Sequence, residues 1–152
     1  MGTAAKKEEI KIRRMREFDL PMVKDIDKEL AGPNRVLSWQ IRIEAHWWTY
    51  RRHSNFVAEV GDKVVGFILG DVRGSEYGAE TSGWIDMMGV IPRYQNLGIG
   101  RKLIEAFCEE CRKNKVAMRI AVKKNDKRLI QFLTSLGFQT GNMVTYEKAD
   151  LK

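Results

Sequence analysis

Trp84-Ile85-Asp86-Met87-Met88-Gly89-Val90-Ile91-Pro92-Arg93-Tyr94-Gln95-Asn96-Leu97-Gly98-Ile99-Gly100-Arg101-Lys102-Leu103-Ile104 is the stretch that decides the fold. Trp84 to Val90 reads as a strand, and Pro92 stops it by removing a ladder donor and fixing φ. Gln95 to Gly100 is a glycine-punctuated turn. A helical pattern starts at Gly100, with Leu103, Ile104 and Phe107 on one face. Strand, glycine turn and helix start together make an anion site. The first helical N–H groups lack intrahelical partners, the helix dipole adds positive potential, and glycine lets a phosphate approach the backbone. Arg101 and Lys102 add charge there.

Several ligand loops use such glycines, so the spacing decides among them. Gly98 to Lys102 does not complete the Walker pattern, and Leu103 stands where the dinucleotide fingerprint needs its third glycine. What fits is Gln-x-x-Gly-x-Gly after a strand ending in Val-x-Pro, through Gln95, Gly98, Gly100, Val90 and Pro92. That combination resembles the pyrophosphate loop of the GNAT superfamily of N-acetyltransferases, which bind acetyl-CoA. The competing reading is a structural turn that needs glycine for positive φ.

The chain has 152 residues, consistent with one domain able to bury most of its apolar surface. No run nears the roughly 18 apolar residues of a membrane helix, and no apolar stretch near the N-terminus reads as a signal peptide. Cys108 and Cys111 fall in mid-helix with no second pair to complete a zinc site, which argues for a reducing, cytoplasmic home and no metal. Net charge is +7, from 27 Lys and Arg against 20 Asp and Glu. Such a balance attracts polyanions, CoA among them, but the basic residues are scattered, which argues against nucleic acid as a partner. A second copy of the chain remains an open partner.

In chain order, residues 1–9 are polar and expected to be disordered, with a single domain over 10–152. Ile10 to Arg14 alternates as a first strand. Asp19 can cap a helix that runs to about Leu30 and buries Val23, Ile26 and Leu30. Ala31 to Asn34 breaks it. Ser38 can cap a second helix reaching about Arg52, with Trp39, Ile43, Trp47 and Tyr50 as a core stripe and His46, Trp48 and Arg52 off it. Asn55–Val60 and Lys63–Val72 form a hairpin at Gly61-Asp62, and Arg73 to Ser82 reads as a polar loop. After the central strand and helix come a strand at Ala117–Val122 and a helix at Asp126–Leu136 capped by Gly137. Phe138–Thr140 and Val144–Lys148 read as a closing pair of strands.

The order β-α-α-β-β-β-α-β-α-β-β is similar to the full GNAT order, and Leu136-Gly137-Phe138 matches a frequent feature of that family. The resemblance therefore implies an α/β (α+β) GNAT fold. Its central mixed, mostly antiparallel sheet would have about seven strands flanked by about four helices. It implies that Met88, Gly89 and Val90 pair with the pantetheine arm, with the Met88 N–H donating to the thioester oxygen. Gln95, Asn96, Leu97, Gly98, Ile99, Gly100 and Arg101 would hold the pyrophosphate. The sequence departs from the family at three positions. Leu133 stands where many members carry a proton-donating Tyr, Asp126 where an Asn often touches the pantetheine, and Ala121 where some carry a basic Glu.

Asp86 is the candidate general base in their place. Alternation puts it on one strand face with Trp84 and Met88, and an apolar setting beside Trp84 would raise its pKa. Its competing role is a structural carboxylate paired with an Arg. Tyr146, His46 and His53 are weaker candidates. The expected activity is acetyl transfer from acetyl-CoA to a primary amine of a small molecule, a Lys side chain or a peptide N-terminus. The rival is an acyl-CoA-binding regulatory module with little turnover.

Overall fold

Alternating Ile10 and Ile12 and the apolar runs Phe56–Val60 and Val64–Leu69 have the two-residue period and β-branched content of sheet, and they form one. The computed structural model describes residues 8–32, 37–50, 54–74 and 76–151. The side chains of Leu37, Ser38, Trp39, Tyr50 and Glu76 fall outside that description. So do residues 51–53, and with them the expectations for Arg52 and His53, as does most of the expected disordered segment.

Two compact units divide the chain, one ending at Ala121 and one beginning at Val122. In the first, five strands pair in the order β1-β2-β3-β4-β5: Ile10–Arg14, Phe56–Val60, Lys63–Arg73, Ser82–Val90 and Ala117–Ile120. The first three pairings are antiparallel and β4–β5 is parallel. β2 and β3 turn at Gly61-Asp62, where Gly61 takes φ +60° and Val60 faces Lys63. Helix α1 (Leu20–Ala31) ends on Gly32 at φ +77°, and α2 spans Leu37–Tyr50, so Ser38 lies inside that helix rather than at its cap.

Helix α3, Ile99–Lys113, buries Ile99, Leu103, Ile104 and Phe107 on the sheet face opposite α1. The approach is close. A Cβ at Gly83 would meet the Cys111 sulfur at 2.2 Å, so β4 needs glycine there. Phe67, Phe107, Ile68 and Leu69 are fully buried between these layers, each contributing about 2–3 kcal/mol of transfer free energy.

Four expectations change here. Asp19 precedes α1 but makes no cap bond, because its carboxylate accepts from Arg13 Nη1 and Nη2 at 2.7 and 2.8 Å and from the Arg16 N–H at 2.7 Å. His46 is buried where the helical period put it off the core stripe, and Leu30 is partly exposed where that period buried it. The largest change is the strand count, five among the described residues against an expected seven. No strand forms over 138–151. Val144 and Tyr146 are β-formers but stand 74% and 94% exposed, and β propensity acts through packing on a half-buried pleat that these residues lack.

The second unit holds α4, Lys127–Ser135. Asp126 caps it by accepting the Leu129 N–H at 3.1 Å. Its far end closes as the glycine signal implies, with Gly137 at φ +91°, Gly137 N–H to Thr134 O and Phe138 N–H to Leu133 O, both near 3 Å. Leu133 is buried.

Candidate active site

The glycine turn is made mostly from backbone. Pro92–Tyr94 winds one 3-10 turn after β4, and the Gln95 side chain then donates from Nε2 to the Val90 carbonyl at 2.9 Å, tying the turn to the strand end. Asn96 and Gly98 both take positive φ, +63° and +84°. Gly98 is the N-cap of α3 and has no side-chain cap bond. The first intrahelical bond runs from the Lys102 N–H to the Gly98 carbonyl, so the N–H groups of Ile99, Gly100 and Arg101 precede the helical ladder. A Cβ at Gly98 would meet no atom within 4 Å, so the space above the turn is open, and Leu97 and Arg101 are exposed beside it. Open backbone, a helix start and a nearby guanidinium suit a phosphate group.

Strand β4 changes character halfway along. Met87 lies opposite Leu69 and Ile85 opposite Gly70, so Asp86 is an extra residue with no cross-strand partner, a β-bulge. Pairing with β5 runs only from Ser82 to Ile85 and stops at the same place. From Asp86 to Val90 the strand therefore bonds β3 on one edge, while its other edge has no strand partner among the described residues. Met88, Gly89 and Val90 all lie on this half-free segment.

The bulge also corrects the side-chain faces. Gly89 faces α1, where a Cβ would meet Leu30 at 2.5 Å, whereas Gly66 faces Ile99 and Leu103 of α3. Met88, next to Gly89 and opposite Ile68, thus lies on the α3 face. Asp86 reaches His46 of α2 on the other face, with Trp84. Strict alternation would have put Met88 beside Asp86, and the inserted residue removes that relation.

Around Asp86 the side chains form a charge cluster. Arg73 grips the carboxylate with both Nη atoms, at 2.9 and 2.8 Å, and His46 Nε2 lies 2.9 Å from Oδ2. The Arg73 guanidinium also sits 5.8 Å from the Trp84 ring. Burial pushes the Asp86 carboxyl up, but the hydrogen bonds and charges of Arg73 and His46 outweigh it and hold the pKa at about 2. The shift is downward where the sequence implied an upward one, so burial beside Trp84 does not by itself ready Asp86 to accept a proton. The paired-carboxylate role is the one observed.

Arg73 and Asp71 were missed in the sequence. Arg73 read as the first residue of a loop, whereas β3 runs one residue longer and puts it two places from Asp71 on the same face. Tyr146, on the tail, is almost fully exposed. Ala121 follows β5 and is exposed, and Asp126 spends one carboxylate oxygen on the α4 cap. Burial pushes the Cys111 thiol to about 11, consistent with an inert packing residue. Among the described residues no group of His, Cys, Asp and Glu is arranged to hold a metal, and no helix is long and apolar enough to cross a membrane.

A mixed sheet with helices on both faces, whose bulged strand has one edge without a strand partner among the described residues and runs into a glycine turn at a helix start, defines an α/β fold. The chain belongs to the acetyltransferase (GNAT) family, whose profile matches residues 20–138. Among solved structures it resembles a possible acetyltransferase from Clostridium difficile 630, at 25% identity and TM-score 0.76, over 94% of this chain and 99% of that one. Ard1 from Thermoplasma volcanium matches at 25% identity and TM-score 0.72, over 88% and 84% of the two chains. The aminoglycoside-type enzyme AAC(6')-Iy, solved with the bisubstrate analogue CoA-S-monomethyl-acetylneamine, shares the fold at 16% identity and TM-score 0.78, over 93% and 99%. No curated protein matches the chain.

Proposed function

We propose that this chain moves an acetyl group from acetyl-CoA to a primary amine by direct transfer. The observation that carries the reading is the Gly98 turn, with its unobstructed backbone at the start of α3, fed by a strand whose outer edge has no strand partner among the described residues from Asp86 onward. In this reading Gln95 to Arg101 hold the pyrophosphate, chiefly through N–H groups of the α3 start. The free edge at Met88, Gly89 and Val90 takes the amide-bearing pantetheine arm. The Met88 N–H donates to the thioester oxygen and stabilises the negative charge that develops when the amine attacks.

The amine nitrogen bonds to the acetyl carbon, the carbon–sulfur bond breaks, and CoA leaves as a thiolate that takes a proton. Where many family members carry a proton-donating Tyr this sequence has Leu133, which has no proton to give, so in this reading water supplies it. Asp86, already bound by Arg73 and His46, takes no proton from the amine. Water relays it, and Asp86 fixes α2 against the sheet.

The test is a mass spectrum of the purified protein for bound CoA, followed by thiol release from acetyl-CoA across an amine library. Release with at least one amine supports the reading. Tight CoA binding with no release from any amine leaves the acyl-CoA-binding module as the function, and absence of CoA binding removes both.

A further inference from the structure

Strand β5, Ala117–Ile120, is the outermost strand of the sheet. It pairs with β4 on one side and has no strand partner on the other among the described residues. Such edges are ordinarily blunted by proline, by lysine or by a covering segment, because their open N–H and C=O groups template pairing with another chain. β5 carries no proline or lysine, and its one cation, Arg119, donates from Nε to Ser82 Oγ at 2.9 Å. Met118 and Ile120 lie opposite Gly83 and Ile85, hence on the α3 face, and both are only half-buried.

The second observation lies in the other unit. Residues 139–151 are exposed throughout and form no strand. Yet Met143-Val144-Thr145-Tyr146-Glu147 has the alternation and the β-branched and aromatic content of one. Val144 and Tyr146 fall on one side of that alternation, Thr145 and Glu147 on the other. Set beside β5 of a second copy, Val144 and Tyr146 cover Met118 and Ile120, and Glu147 falls on the side of Arg119. Residues 142–148 carry one Glu and one Lys, so they approach a chain of net charge +7 without repulsion.

We infer that the partner of the β5 edge is the 143–147 segment of a second copy of this chain, added as a further strand and exchanged reciprocally in a two-fold dimer. Each copy supplies what the other lacks, and the exchange closes at two. Backbone ladder bonds provide the hold, and the Val144 and Tyr146 side chains fix the register. Pairing of β4 with β5 stops at Ile85, so an added strand beyond β5 leaves the Met88 to Val90 segment open. The dimer is therefore independent of the acetyl-CoA assignment.

Sedimentation equilibrium of the full chain, from about 1 to about 100 µM, gives the dimer dissociation constant. Hydrogen exchange reads the amides of Ala117–Ile120 and of residues 143–148. Wild type should sediment as a dimer with both segments protected, and dilution should remove that protection. Val144→Pro removes a ladder donor and Tyr146→Asp puts charge on the apolar side, so each should weaken the dimer about tenfold or more. Both positions are exposed in the single chain, so far-UV circular dichroism and acetyl-CoA affinity should not change. Protection of the two segments should fall together in each variant. A wild type that stays monomeric at about 100 µM overturns the inference. Protected 143–148 amides in that monomer would mean that the chain's own segment closes the edge. A dimer that keeps its dissociation constant in both variants also overturns it, because another face then joins the copies. Loss of protection at 143–148 alone, with Ala117–Ile120 unchanged, overturns the pairing with β5.

Discussion

The turn at Gly98 and the cluster at Asp86 sit at the two ends of one strand segment and are built in opposite ways. At Gly98 the groups on offer are backbone N–H donors that a helix start leaves outside the helical ladder, and the space above the turn is open. At Asp86 the backbone contributes a bulge, and the groups that matter are side chains from three elements, His46 of α2, Arg73 of β3 and Asp86 itself. A backbone site keeps its chemistry through most substitutions and fails only when its shape is blocked. A side-chain cluster fails piece by piece, as each partner is removed.

The sharpest break follows from the first half of that contrast. Gly98→Val should weaken acetyl-CoA by about 100-fold or more, since a β-branched residue resists φ +84° and fills the open space above the turn. Calorimetry on the folded variant reads it, and an unchanged dissociation constant would end the assignment of the turn to phosphate.

Asp86→Asn comes next. It keeps the size but loosens the grip of Arg73, so turnover should fall about tenfold while acetyl-CoA affinity holds. In the proposed mechanism water relays the amine proton, so raising the pH should not restore the lost rate selectively. Recovery at high pH in the variant alone would return the base role to Asp86.

The same carboxylate makes an acid-stability prediction. Its folded pKa of about 2 lies below the ordinary carboxylate value near 3.8, so its contribution is full above about pH 4 and is lost as pH falls toward 2. That contribution is on the order of 1–2 kcal/mol after allowing for partial exposure. Asp86→Asn should flatten the stability curve between pH 4 and pH 2, read by chemical denaturation. An unaltered slope would mean that the pairing is absent in solution.

Gln95→Ala should have the smallest effect, a few-fold in acetyl-CoA affinity. The Gln95 side chain ties the turn to the Val90 carbonyl, and in the proposed reading most of the hold on phosphate comes from main-chain N–H groups. A loss as large as that of Gly98→Val would move Gln95 into direct contact with phosphate.

The contrast also explains what could be read before the structure. The turn was legible because glycine, proline and helix-start signals are local in sequence and act through the backbone they specify. The order of β1 to β5 and the helices along the chain followed from the same local periodicities. The Asp86 partners were not legible. His46 lies 40 residues away and Arg73 lies 13 away across a hairpin partner, and a one-residue bulge shifts every face beyond it. The closing strands over 138–148 were misread for a related reason. Val144 and Tyr146 have the residue types of a strand, but pairing is a tertiary event that composition does not encode.

One measurement reaches the central claim directly, the affinities of wild type for acetyl-CoA and for S-acetylpantetheine, which lacks the pyrophosphate and nucleotide. If the Gly98 turn holds phosphate through the α3 start, acetyl-CoA should bind at least about 100-fold more tightly, with the difference shrinking as salt rises. Equal affinities for the two would contradict the account, because the glycine turn would then contribute nothing to holding the donor.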